Sequence, residues 1–395
     1  MTSSSASAKP RLRPILSGRG PSAQALDRLR GFTTAAEASL AEPFRGITSG
    51  GSIVPGLFPI ESTDVSTRPL VVAAEAFLGS LGPEQAPAVL FPLDSDMWRR
   101  WSNVHMFSMR HGALLEELPS EQRDLALALL RESLSHTGYE TARDVMKLNE
   151  TIREMTGRDE EYGEWLYWLS IMGTPSANEP WGWQIDGHHL IVNCFVQVDQ
   201  IVMTPLFMGS EPVIAEFGRY AGTRVFQQEE QRGLALIRSF TAEQRATAIL
   251  SPELPREVFT TAFRDNFELR YEGICWDRLS QVQRDLLLAL IQTYVGRMRP
   301  GHAEVKLEEV RKHLHQTYFA WMGSAGEDGV FYYRLHSPVI LIEFDHLPGI
   351  ALDNDEPSRN HIHTVVRTPN GNDYGKDLLR QHHERFDHWH LHDGR

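Results

Sequence analysis

Apolar residues recur at spacings of three and four along some stretches of the chain and alternate with polar ones along others. The first pattern predicts helices. Leu26, Leu29, Phe32 and Ala36 mark one over residues 23–40, and residues 71–81 read as a shorter one. Residues 119–155 form the clearest helical region, with a wide apolar face at Leu125, Leu127, Leu129 and Leu130 and with Ser120 as its cap. Gly138 predicts a break there into two helices, and Gly157 ends the second. Further helices are expected over residues 229–238, 241–250, 279–297, 302–321 and 377–385.

The second pattern predicts strands. Residues 188–203 are β-branched and alternating, with Asp199-Gln200 as a hairpin turn. Residues 330–334, 338–344 and 361–367 read the same way. Helices lie in blocks around strand clusters, so the order is not a βαβ series. The fold class is α+β, one compact domain of mixed or antiparallel strands with flanking helices over residues 21–385. Residues 1–20 read as a flexible tail, and residues 386–395 as a His-rich tail.

Composition narrows the function. At 395 residues, with 41% hydrophobic and 23% charged, the chain can bury a sizeable core. Its net charge of −13 argues against nucleic acid or anionic lipid as a partner. No run of about 18 apolar residues predicts a membrane span. The polar start lacks the apolar stretch of a secretory signal, which points to the cytoplasm. Two cysteines, Cys194 and Cys275, make neither a disulfide framework nor a Cys-rich zinc site. The 17 histidines stand out, because they are unevenly placed.

Several groupings can carry chemistry. His361-Ile-His363 on a strand puts two imidazoles on one face, which can supply two corners of a metal site. Asp186-Gly-His188-His189 opens a strand. On that strand His188 and His189 face opposite ways, and His189 shares its face with Asn193 and Gln197. The alternation therefore favours His189, with both histidines admitted if Gly187 bends the chain. In Pro338-Val-Ile-Leu-Ile-Glu343-Phe-Asp345-His346 a continuous apolar run predicts a buried strand. Glu343 and Asp345 then share a face near its end, where a buried carboxylate needs a partner. Each can orient a ligand, ligate a metal, or act as a base; alternatively each pairs with Arg334, Arg359 or Arg367. The turn Pro369-Asn-Gly-Asn372 follows the His-x-His strand, so Arg367, Tyr374 and Lys376 are expected to contact substrate. Trp181 and Trp183 can wall a pocket or pack in the core. His382, His383, His388, His390 and His392 bind metals loosely at most. No phosphate-binding glycine loop, His-Glu-x-x-His helix or serine elbow occurs.

Five segments together resemble one family. They are Gly173-Thr-Pro-Ser, Pro180-Trp-Gly-Trp-Gln-Ile-Asp-Gly-His-His189, Phe331-Tyr-Tyr-Arg-Leu-His336-Ser-Pro, Ile342-Glu-Phe-Asp-His346, and the stretch from His361 through Thr-Pro-Asn-Gly-Asn-Asp to Asp377. They are similar to the family catalogued as Domain of Unknown Function 3500, from about residue 25 to about residue 385. The resemblance implies no activity by itself, but it ties the histidine motifs together as features of one family. The tail beyond Arg385 is outside it.

The reading that follows is a mononuclear metal centre on strands. Its expected ligands are His361 and His363 with His189 or His188, and His346 and Asp345 come next. Glu343 and Asp345 are the catalytic carboxylates. The metal is copper or iron in an oxidoreductase acting on a small molecule, with a zinc hydrolase or a non-catalytic binding protein as alternatives.

Overall fold

The computed structural model describes residues 23–104 and 111–385. Both expected tails, 1–20 and 386–395, lie outside the described residues. The first half contains α1 (Ala23–Leu40), α2 (Arg68–Ser80), α3 (Ala86–Val89), β1 (Leu90–Phe91), β2 (Ala113–Leu114), α4 (Ser120–Ser133), α5 (His136–Thr156), β3 (Tyr167–Met172), β4 (Trp181–Gly187), β5 (Leu190–Gln197), β6 (Gln200–Val202) and β7 (Leu206–Ser210). The second contains α6 (Gln227–Arg238), α7 (Ala242–Ala248), β8 (Ile249–Ser251), β9 (Ile274–Cys275), α8 (Gln281–Val295), α9 (His302–Lys312), β10 (Tyr318–Gly323), β11 (Phe331–His336), β12 (Leu341–Leu347), β13 (Ser358–Arg367) and α10 (Lys376–Arg385). No helix among the described residues is long and apolar enough to cross a membrane.

The fold is α+β, and its strands join into one mixed sheet. The order is β1-β3-β4-β5-β7-β13-β12-β11-β10-β8, with β2, β6 and β9 attached at its sides. Only β1 with β3 and β8 with β10 pair in parallel. The helix break falls at Leu134-Ser135 rather than at Gly138. Ser135 caps α5 by accepting from the Gly138 amide, and Gly138 sits within the first turn, where a Cβ would stand 2.2 Å from the Arg297 carbonyl. Ser120 does not cap α4; the residue before the helix is Pro119. The helix expected over 302–321 ends at Lys312, and its β-branched and aromatic end forms β10 instead.

Directly opposed residues of an antiparallel ladder share a face. One face is apolar. Ile342, Val366, Leu206, Val192 and Ile185 are opposed in series across five strands. Helices cover this face near β11, where Gly233 of α6 lets the Tyr333 ring approach and Tyr294 of α8 hydrogen-bonds the Tyr333 hydroxyl at 2.5 Å.

The other face is also buried, yet it is polar. It carries Arg334, Glu343, Asp345, His361, His363, Asn193, Gln184 and Asp186. Irregular chain covers it. The Glu343 carboxylate accepts from the Phe259 amide at 2.7 Å, the Thr260 amide at 2.9 Å, the Tyr332 hydroxyl at 2.7 Å and the Thr260 hydroxyl. Asp186 accepts from the Ser102 amide at 3.2 Å. Asp265 accepts from Arg99 Nε at 2.9 Å, Arg367 Nη2 at 2.7 Å and the Tyr374 hydroxyl at 3.0 Å.

Removing Asp265 would leave two buried guanidinium groups short of their charge partner. Asp265→Ala is expected to destabilise the protein by about 3 kcal/mol or more in urea unfolding, the scale for breaking a buried ion pair. A loss below about 0.5 kcal/mol, the surface-pair scale, would sink this account of the clamp.

Buried histidines make a second prediction. Burial, assisted by the Arg334 charge, pushes the His336 imidazole down to about 3. Burial and Arg299 push His302 down to about 4. The unfolded chain takes up these protons near the ordinary 6.5, whereas the folded chain does not. Their contribution to stability is therefore full above 6.5 and is lost as pH falls toward 4 and then 3. Urea midpoints should fall across this window, and less steeply in His336→Phe. An equal fall in that variant would remove His336 as a source.

Candidate metal centre

β13 is an inner strand, flanked by β7 and β12. His361 and His363 are two residues apart on it and share the polar face, 2% and 4% exposed. Gly209 of β7 lies opposite His363. A Cβ there would stand 2.8 Å from His363 Cδ2 and 3.3 Å from His189 Cδ2. The missing side chain is thus what makes room for two imidazoles.

The third imidazole comes from a turn. β4 runs through Gly187 and β5 begins at Leu190, so His188 and His189 form the two-residue connection between them. They do not alternate as strand residues would. His189 takes φ +63°, the left-handed region that costs a residue with a Cβ about 1–2 kcal/mol. Its carbonyl accepts from the Gly209 amide at 2.8 Å, which holds the strained turn beside β7. The His189 ring then lies 4.9 Å from that of His363 and 5.3 Å from that of His361, centre to centre. A nitrogen of each of the three rings lies within 4.8 Å of the other two.

The outer nitrogens fix the tautomers. His361 Nδ1 is 2.6 Å from the Pro348 carbonyl, which can only accept, so Nδ1 carries a hydrogen. His363 Nδ1 is 2.7 Å from Glu257 Oε1. Burial alone would raise the Glu257 carboxyl, but the adjoining His363 outweighs it and holds it below the usual range. Glu257 is therefore an ionised acceptor. Burial pushes the His361 imidazole down, toward its neutral form. The two Nε2 atoms face one another at 3.1 Å. With a proton on His363 Nε2 they share a hydrogen bond; with both rings in the Nδ1–H form they present two lone pairs to a cation. Two nitrogens on a tetrahedral zinc, with bonds of about 2.0–2.1 Å, would stand about 3.3 Å apart. An outer N–H given to a carbonyl or carboxylate is also the usual support of a metal-binding histidine.

The structure sorts the remaining candidates. His188 stacks on His189, with ring centres 3.8 Å apart, and its Nδ1 lies 2.8 Å from Asn149 Oδ1. It backs the third imidazole rather than joining the three. His346 is on the opposite, helix-covered face, where its ring meets Glu230 at 3.1 Å and the Phe331 backbone at 3.1 Å. Trp181 and Trp183 are on that apolar face too, because Trp183 opposes Cys194 and shares parity with Ile185. Arg367 and Tyr374 are consumed by Asp265, and Arg367 also pairs with Asp373 at 2.9 Å. Lys376 lines a separate surface cleft with Asp94, Arg380 and His383. Glu343 is saturated by the four donors already named.

Asp345 is different. It opposes His363 directly, is 0% exposed, and neither carboxylate oxygen has a hydrogen-bond partner in good geometry, the adjacent His346 amide being the donor the chain offers it. Burial pushes its carboxyl well up, and the charges of Glu257 and Glu343 add to the effect. Glu257, Asn149 and Gly209 were not among the residues singled out from the sequence. Glu257 stands in Leu254-Pro-Arg-Glu257, which carries no metal-site spacing, and Gly209 is a lone glycine within a strand.

Comparison with known proteins adds one finding. The chain belongs to the family described as Protein of unknown function (DUF3500), which matches residues 63–376. That span contains the three histidines, Glu257, Gly209 and Asp345. No curated protein and no solved structure matches the chain.

Glu257→Gln keeps the shape but weakens the hold on His363 Nδ1–H. Its apparent zinc or copper affinity, measured by chelator competition, should fall about 10–100-fold, the range for loss of such outer support. An affinity equal to that of the wild type would remove Glu257 from the centre.

Proposed function

We propose that the protein is a metal-dependent enzyme with a mononuclear centre at His189, His361 and His363, and that it is an oxidoreductase using copper or iron on a small molecule. The observation that carries the reading is the convergence of three buried imidazoles, each with a ring nitrogen within 4.8 Å of the other two. Three imidazoles with neither thiolate nor carboxylate among them suit copper, iron and zinc alike. A bound metal would supply electron transfer or polarise a substrate oxygen. The protein's own part is to hold the rings and exclude water.

The carboxylates narrow the alternatives. A zinc hydrolase with a carboxylate base needs an ionised, unengaged carboxylate beside the metal. Glu343 is engaged by four donors and Glu257 is engaged by His363, which leaves Asp345 as the one carboxylate of the three that such a reading could use. The hydrolase is the second reading, because three histidines with outer hydrogen bonds also describe catalytic zinc. A non-catalytic metal-binding protein is the third; it would saturate the metal's coordination. Cys194 and Cys275 are both free thiols, which suits a reducing compartment, and we place the protein in the cytoplasm.

Metal analysis by mass spectrometry tests the proposal on the full chain and on the chain ended after Arg385, since the tail histidines can hold metal themselves. The expected result is one copper or iron per chain in both. The double variant His361→Ala, His363→Ala should lose that metal with an unchanged circular dichroism spectrum. Stoichiometric zinc would move the assignment to the hydrolase. A double variant that still binds one metal per shortened chain would sink the site.

A further inference from the structure

The centre just proposed has three protein ligands, and one acidic side chain beside it is left without a well-formed hydrogen bond. Asp345 lies on β12 directly opposite His363, on the face that carries His361. It is fully buried, neither oxygen has a hydrogen-bond partner in good geometry, and the chain offers it the amide of the adjacent His346. Its two acidic neighbours contrast with it. Glu343 meets four donors, while Glu257 meets His363 and the Val258 amide at 2.9 Å. A buried carboxyl with little to bond is unfavourable. Other buried polar atoms also lack partners, among them the Trp181 indole nitrogen, but among the described residues Asp345 is the one buried carboxylate with both oxygens unengaged, and it adjoins the three imidazoles.

We infer that Asp345 is a catalytic residue whose hydrogen-bond partner is the exogenous molecule carried by the metal. The inference rests on the metal reading above. Asp345 is not itself in the ligand set, because the three-nitrogen group within 4.8 Å does not include it. Its side chain is short and its strand position is fixed by pairing on both sides. It can therefore reach only an atom next to the one on the metal. This defines the class of substrate or co-substrate. It is a small molecule that binds the metal through one atom and presents a hydrogen-bond acceptor one or two bonds away. Carboxylates, carbonyl compounds and dioxygen share that feature. Azide shares it too and serves as the probe.

The experiment uses the full chain loaded with copper(II), the double histidine variant as a blank for tail-bound copper, and azide titrated by its charge-transfer absorption. Asp345→Leu and Asp345→Ala remove the hydrogen bond, and either suffices if the other fails to fold. Asp345→Asn retains a donor at the same place. We expect all three variants to bind one copper with an unshifted ligand-field spectrum. Azide affinity should fall about tenfold in the Leu or Ala variant, the scale of one hydrogen bond to a charged group, and recover in Asn. Copper bound as before with azide affinity unchanged or tighter would overturn the inference. Loss of copper from the Leu or Ala variant would also overturn it, since Asp345 would then be a ligand. Wild-type protein that takes up no copper beyond the blank would overturn the metal reading, and the inference with it.

Discussion

Irregular chain lies over one face of the central sheet, and its backbone donors must be met by that face. A helix or strand satisfies its own amides, so whatever packs against it can be apolar. The segments around Ser102 and around Phe259-Thr260 cannot do so. Their amides donate to side chains that rise from the strands, Asp186 and Glu343. The buried polar character of this face follows from that need, and the apolar character of the opposite face follows from its helical cover. The two sides of one sheet thus present different solvents to their residues. One is hydrocarbon. The other is a dense set of donors, acceptors and charges whose partners come from distant parts of the chain.

This constraint separates structural from functional polar residues. Arg367 and Tyr374 looked like substrate contacts because they follow the His-x-His strand, but Asp265 engages both. Glu343 looked like a base, yet it holds a loop. Buried position alone therefore did not mark function, because most buried polar groups here have a partner. What marks the candidate centre is convergence. Ring nitrogens of His189, His361 and His363 lie within 4.8 Å of one another, and Asp345 presents two oxygens without a well-formed hydrogen bond beside them.

Part of this was legible in the sequence. Alternation alone put His361 and His363 on one face and Glu343 with Asp345 on one face, and the ladder keeps both assignments. The same alternation, extended one residue past Asp345, turns His346 to the other side. It also separates Trp181 and Trp183 from Gln184 and Asp186, so the tryptophans belonged with the core. The pairing of β13 with β7 was not legible, since it joins residues more than 150 positions apart, as His363 with Gly209. For the same reason Glu257 could not be matched to His363, nor Gly209 to the two rings it admits. The turn at His188-His189 was hidden because its residues are not typical turn formers. Backbone bonds to Gly209 and Asn103 hold the left-handed conformation at His189.

Several local costs meet beside the three imidazoles. A histidine is held at positive φ, a carboxyl is buried with little to bond, and an inner strand carries a glycine, which weakens it. Such costs occur elsewhere in the molecule too, as at Val198 and Phe226 with positive φ or at the unpartnered indole nitrogen of Trp181. What distinguishes this place is their adjacency to three convergent ring nitrogens. Strain held in place by the surrounding fold is often kept for binding or chemistry. On the proposed reading a cation between the imidazoles would hold the strained turn against β13, and the molecule it carries would give Asp345 a partner.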